Sequence, residues 1–297
     1  MTIAATTAGA TTPRARAEEL VRNAGSVGSP PLIYQRLVEV INHPRSAAGD
    51  IAGVIAEDQG LTTRLLKVVN SAFFSLPWRV DTVSAAVRVV GTRQIRDLAV
   101  ATAVLRLFDD VPAELVDMES FWHHSLACGV TARVLASHRG EDNIERYFVA
   151  GLLHDVGRLI LFTGAGAEMT AAMERARTEG CALFLAEREE AGVDHAVVGG
   201  ALMDQWSFPP ALREAVRYHH EPRRASQFPV ETAAVHVADV VATAMAWGRS
   251  GETRVPPLDK DAWDTVGLDV DLAPMILDDA GRQMEAALHL IQGREGA

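Results

Sequence analysis

Gly151-Leu152-Leu153-His154-Asp155-Val156-Gly157-Arg158-Leu159-Ile160-Leu161 is an apolar run with one adjacent His-Asp pair set inside it. Burying a carboxylate without a partner is costly, so a charge in such a run normally pairs or binds a metal. Neighbouring imidazole and carboxylate groups supply a nitrogen and an oxygen to one cation. The dipeptide alone is a weak signal, and its meaning depends on the other histidines of the chain.

The chain has 297 residues, room for one large domain or two medium ones. Nearly half of it is apolar and only 6% is aromatic, which suits a helical globular protein. A net charge of −11 argues against a broad phosphate-binding footprint, and so against nucleic acid as a partner. Cys128 and Cys181 lie far apart and in no CxxC pattern. Neither a disulfide framework nor a thiolate zinc site follows from them. The N-terminus lacks the charged start and apolar core of a signal peptide, and no apolar run reaches the length of a membrane span. The expectation is a cytoplasmic protein with no membrane partner.

On the N-terminal side of the run, residues 1–12 are rich in Ala and Thr and cannot build a core. Pro13 to Asn23 forms a short helix, and Gly25 to Pro31 reads as a linker. Leu32, Ile33, Leu37, Val40 and Ile41 recur on one helix face, which Asn42-His43-Pro44 ends. A second helix opens between Ser46 and Asp50 and breaks at Asp58-Gln59-Gly60. A third runs from Leu61 to Val69, and Asn70, tolerant of the left-handed conformation, stops it. Asp81 or Thr82 caps the next helix. Gly91 punctuates it, and a long apolar helix continues through Leu98 to Phe108. Helix, glycine turn and helix would present Arg93 and Arg96 to DNA phosphates, but Asp97 and the acidic whole oppose that reading.

Asp58, Leu61, Thr62, Leu65, Leu66, Asn70-Ser71-Ala72-Phe73, Ala86, Gly91 and Ile95 together resemble the N-terminal helical lobe of the HDOD family (HD-related output domain), found in bacterial signalling proteins. With the downstream motifs the resemblance covers roughly residues 31–245. It implies an all-α fold, a bilobed multi-helix bundle with an HD-domain-like core. The implied layout is a flexible segment over 1–28 and an HDOD domain over 29–245. The domain divides into lobes of about 31–110 and 115–245, and a helical extension over 246–297 packs on the second lobe.

Proteins of the HD superfamily carry a metal-binding His early in a helix and the His-Asp pair about thirty residues on. In Phe121-Trp122-His123-His124-Ser125-Leu126, His124 fits that spacing, and His123 points about a hundred degrees away around the helix. His124, His154, Asp155 and Asp239 resemble the minimal metal site of the superfamily. His195, His219 and His220 are similar to the additional ligands of its binuclear members. The resemblance implies one or two divalent transition-metal ions (Fe, Mn, Zn, Ni or Co), with Asp155 able to bridge two and Arg158 in contact with a substrate phosphate. Against this stands the plain reading of each histidine as a helix cap or satisfied core residue. His138 and His289 read as surface residues and His236 as structural.

The cyclic-dinucleotide phosphodiesterases of the superfamily have Lys where Arg158 stands and a Gly-Tyr-Pro signature after the His-His pair. Here Glu221 to Val230 lacks that signature. No receiver, EAL, GGDEF or kinase segment can be fitted. The resemblance therefore implies a non-catalytic signalling module that acts on a protein partner in trans, with homodimerisation open. A metal-dependent phosphohydrolase or phosphodiesterase is the alternative.

Overall fold

Side-chain caps set several of the helix starts in the computed structural model, which describes residues 12–25, 32–43, 47–70, 76, 78–105 and 116–291. α1 (Pro13–Asn23) begins where the Thr12 hydroxyl accepts the Ala15 amide, with Pro13 at the position where a missing N–H costs nothing. α2 (Leu32–Asn42) stops at the expected Asn-His-Pro signal. α3 (Ala48–Glu57) and α4 (Gln59–Val69) are separated by Asp58 alone, whose carboxylate caps α4 through the Leu61 amide at 2.9 Å. The expected break at Asp58-Gln59-Gly60 is thus one residue long, because a cap needs only one residue outside the helix.

Asn70 departs from expectation. It stays right-handed, with φ −85° and ψ 0°. Its side chain does the stopping instead: the amide nitrogen donates to Leu66 and Val80 carbonyls at 2.8 and 2.7 Å, and the oxygen accepts the Val80 N–H at 2.6 Å. Thr82 then caps α5 (Val83–Val90), and Gly91 turns with φ +107° into α6 (Thr92–Leu105). Arg96, weighed as a phosphate contact, pairs with Asp97 at 2.6 Å. Residues 1–11, Ser71-Ala72-Phe73 and the expected helix end at Phe108 lie outside the described residues.

α2 to α6 pack on one another as the first lobe. The second lobe is built on α7 (Met118–Arg139), against which pack α8 (Ile144–Leu153), α14 (Pro229–Ala244) and α16 (Ala273–Ile291). Between them run α9 (Val156–Gly164), α10 (Gly166–Glu179), α11 (Leu183–Glu190), α12 (His195–Gln205), α13 (Pro210–Tyr218) and α15 (Lys260–Val266). α1, although first in the chain, packs on α9 and α12 of this lobe. The lobes share one apolar core. Tyr34 ties them, stacking on Phe208 at 5.1 Å and donating its hydroxyl to the Trp206 carbonyl at 2.8 Å. His138, expected at the surface, binds Asp279 at 2.9 Å and fastens α16 to α7.

The His154-Asp155 pair forms the turn between α8 and α9. A glycine stands just before it and another just after, and both allow close approach. A Cβ on Gly151 would sit 2.7 Å from the Cys128 carbonyl group, and one on Gly157 would sit 2.1 Å from the His195 oxygen. The backbones of α8 and α7, and of α9 and α12, therefore touch where the pair turns inward. Among the described residues every regular element is helical. No single helix there is long and apolar enough to cross a membrane.

Candidate metal centre

The fold brings all of the expected ligands together. His124 comes from the first turns of α7, His154 and Asp155 from the α8–α9 turn, His195 from the start of α12, His219 and His220 from just past α13, and Asp239 from α14. Three of them, His154, His195 and His219, have a local reason to be there. The Asp194 carboxylate caps α12 through the Val197 amide, which fixes the next residue, His195. The Nδ1 atoms of His154 and His219 bond the Gly151 and Val216 carbonyls at 2.6 and 2.8 Å, turning both Nε2 atoms inward. His236, expected to be structural, bonds the His219 carbonyl through Nδ1 at 2.7 Å and accepts the Asp259 amide on Nε2.

The donors form two groups with Asp155 between them. In the first, His124 Nε2 lies 3.2 Å from Asp239 Oδ1, and His154 Nε2 lies 3.8 Å from the same oxygen. In the second, His195 Nε2 lies 3.3 Å from His219 Nε2 and 2.9 Å from His220 Nε2. Asp155 turns Oδ2 to the first group, 3.4 Å from His154 Nε2, and Oδ1 to the second, 2.9 Å from His195 Nε2. His123 stands outside, near Glu119.

Two members of the cluster escape a reading of the sequence. Cys128, one helical turn after His124, puts Sγ 3.6 Å from His124 Nε2, a placement that the cysteine spacing did not suggest. Glu187 accepts both the backbone and Nδ1 N–H of His195, at 2.8 and 2.6 Å, although its sequence surroundings read as a solvated face.

Arg158 is only 2% exposed. It donates to Asp155 Oδ2 at 3.2 Å, to the Ser250 carbonyl at 3.0 Å and to its hydroxyl at 2.5 Å, and its Nε lies 3.3 Å from Glu187 Oε1. The phosphate contact expected of Arg158 thus has no exposed guanidinium behind it.

These neighbours shift the ionisable groups in opposite directions. Burial pushes the Asp155 carboxyl up, but Arg158, His154 and His195 hold it well below the usual carboxylate range. Burial and the Arg158 charge push the His195 imidazole down, and Glu187 and Asp155 more than reverse this, holding it at about 9. His219 and His220 are pushed far down by burial and by the neighbouring imidazoles. Burial, Asp239 and Asp155 raise the Cys128 thiol.

The donor set fits a metal ion. His154 Nε2 is buried without a hydrogen-bond partner, although it faces other donors and acceptors. Buried polar atoms are almost always satisfied, and lone pairs converging on one point are what a cation satisfies. Imidazole, carboxylate and thiol together suit a transition metal, not magnesium or calcium.

Residues 248–252 close the mouth of the cluster. Gly248, at φ +76°, packs against the Ser120 carbonyl and the His124 amide. The Arg249 amide donates to Ser120, Ser250 is held by Arg158, and Glu252 accepts the Leu183 amide at 2.8 Å. A cavity of about 90 Å³ remains under this strap, lined by His124, Thr243, Arg249 and Arg254 among others. A larger cleft, about 900 Å³, lies between α1 and α12–α13. Its Arg188 and Arg217 are already paired with Asp194, Glu221 and Asp204.

The chain is 26% identical to an HDOD domain protein of unknown function from Geobacter sulfurreducens, whose crystal structure superposes with a TM-score of 0.77 over 93% of this chain and 97% of that one. A Shewanella amazonensis SB2B protein, provisionally named a phosphohydrolase, is 24% identical with a TM-score of 0.71 over 91% and 96%, and shows the same fold. Among curated proteins, an uncharacterized protein of Treponema pallidum (strain Nichols) is 30% identical over 195 residues, 64% of this chain. The match spans only 37% of that relative's length. A sequence model of the HDOD domain matches residues 27–222, and the chain belongs to the HDOD family.

Proposed function

We propose that this HDOD protein is a cytoplasmic signal-transduction module, with a divalent transition metal (Fe, Mn, Zn, Ni or Co) held in its His/Asp centre as part of the core. It acts on a protein partner in trans through its helical surface, as a monomer or a homodimer. His124, His154 and Asp239 hold the ion, with Asp155 beside them. When bound in such a site, an ion lowers the pKa of a water and polarises phosphoryl oxygens. The surrounding residues here work against using that chemistry.

The observation that carries this reading is enclosure. His154, His195 and His219 are 0% exposed, His124 and Asp155 are 2% exposed, and residues 248–252 are tied across them. Arg158 neutralises Asp155 and Glu187 inside the lobe and orients His195, so no positive group is left to orient a substrate phosphate at that position. In the test, metal-loaded protein is offered phosphomonoesters, nucleotides and cyclic dinucleotides. The expected result is no turnover above the free metal, with a melting temperature that falls by several degrees on chelation. Enzyme-like turnover that disappears in His154→Ala would overturn the reading.

One observation favours the alternative, a metal-dependent phosphohydrolase. The 90 Å³ cavity beside His124 has Arg249, Arg254, Thr243 and Glu252 on its wall, two guanidiniums against one carboxylate, which suits a single phosphoryl group. The same assay decides, and Arg249→Ala would then reduce turnover.

A further inference from the structure

We propose that the centre takes one cation and not two, that Cys128 is one of its ligands, and that Arg158 fills the electrostatic place of a second ion. The inference rests on the reading that the centre holds a metal.

His124 and Cys128 are four residues apart on α7 and share one face of the helix. The same i, i+4 spacing lets two helical histidines grip a single zinc. Ligand atoms of His124, Cys128, His154 and Asp239 all lie within 4.8 Å of one another. Four donors at about 2.0–2.3 Å from a tetrahedral ion stand roughly 3.3–3.6 Å apart. Here His124 Nε2 to Asp239 Oδ1 is 3.2 Å, His124 Nε2 to Cys128 Sγ is 3.6 Å and His154 Nε2 to Asp239 Oδ1 is 3.8 Å. His154 Nε2, wholly buried, has no hydrogen-bond partner and is aimed into this group. Two imidazoles, a carboxylate and a sulfur make a complete four-coordinate set, without a position for water. Coordination replaces the thiol proton, which leaves to solvent. Such a set selects Zn²⁺, Fe²⁺ or Co²⁺ over magnesium.

The second group is differently made. Arg158 Nη2 lies 3.0 and 3.1 Å from the two ring nitrogens of His195. The guanidinium also reaches Asp155 and Glu187, and Ser250 fastens it from the far side. A second dication bound to His195 Nε2 would need the same carboxylates that the guanidinium already neutralises, and would sit beside a fixed positive charge. Glu187 holds the remaining nitrogen of His195 at 2.6 Å. His195, which His219 and His220 meet at Nε2, is thus held between a guanidinium and a carboxylate instead of by an ion.

Cobalt substitution tests the whole inference. Full-length protein is stripped by chelation, reloaded with Co²⁺, and measured by elemental analysis and near-ultraviolet absorption. The expected result is one cobalt per chain with a sulfur-to-cobalt charge-transfer band. The band is absent from Cys128→Ser and retained in Cys181→Ser. Folded Arg158→Met is expected to take a second cobalt. Two cobalt ions in the wild-type chain, or a spectrum without the band, would overturn the proposal. A folded Arg158→Met that still takes one would overturn the role given to Arg158. If no cobalt binds at all, the reading that the centre holds a metal fails, and this inference with it.

Discussion

In α3 to α5 the buried side chains include Ile51, Val54, Ile55, Leu61, Leu65, Val69, Ala86 and Val87. In the second lobe equal burial is reached by His124, His154, Asp155, Arg158, Glu187, His195 and His219. The first lobe is held by area removed from water, which is non-directional and forgiving of small changes. The second lobe keeps charges inside, and each is tolerable only because its partners are present. The difference sets the candidate centre apart: the charged network gathers around the residues that could hold an ion, and the buried core of α3 to α5 is apolar.

The sharpest way to break the comparison is to remove the hub of the charged core. Asp155→Ala leaves Arg158, His154 and His195 facing one another, and breaking a buried ion pair costs about 3–5 kcal/mol. Denaturant unfolding of the metal-free variant measures it. The apolar counterpart is Leu65→Ala, at a residue with 0% exposure, expected to cost about 3 kcal/mol. Its cost should not change with pH, because no titrating group is lost.

The pH dependence separates the two cores further. His195 is held up at about 9, against about 6.5 in an unfolded chain. A raised histidine stabilises fully below the unfolded value, and that contribution is lost as pH climbs through the folded value. His219 and His220, pushed down, act on the other side: they cost stability as pH falls below about 6.5. The lowered carboxyls of Asp155 and Asp239 stabilise above the unfolded carboxylate value and are constant across the neutral range. Stability of the chelated protein should therefore fall as pH rises from about 7 to about 9. His195→Gln should flatten that slope, and Leu65→Ala should leave it unchanged.

The smallest expected effect lies in the first lobe. Asn70→Ala removes three side-chain bonds to backbone groups of Leu66 and Val80, and should cost about 1–2 kcal/mol in urea unfolding. A loss as large as that of Asp155→Ala would mean that the first lobe, too, depends on a polar lock.

The same contrast governs what a sequence discloses. His154 and Asp155 were legible because an imidazole and a carboxylate inside an apolar run are costly to bury unless they bind one another or an ion. His124, His195, His219, His220 and Asp239 were legible through their resemblance to the ligand order of the HD superfamily. Thr82 was legible as a cap, with Asp81 as the alternative, because capping is local, whereas Asp58 read as a break and proves to be the cap of α4. Glu187 was not legible, since Glu187-Arg188-Glu189-Glu190 reads as a solvated face. Its burial comes from the approach of the His195 turn, which no local pattern records. Cys128 had one signal, its i, i+4 spacing from His124, which a search for cysteine pairs passes over. Arg158 was legible as a charge near the site but not as an inward one, because Ser250, which holds it, lies 92 residues away. Asn70 was expected to bend the backbone, and it works through its amide instead.

Elemental analysis of tag-free protein beside a His154→Ala/Asp155→Ala variant tests the central claim, that the charged core exists to hold an ion, most directly. The expected result is a transition metal bound in the wild-type chain and lost from the variant. No metal in either, with both chains equally folded, would contradict the claim and leave the histidines as a polar core alone.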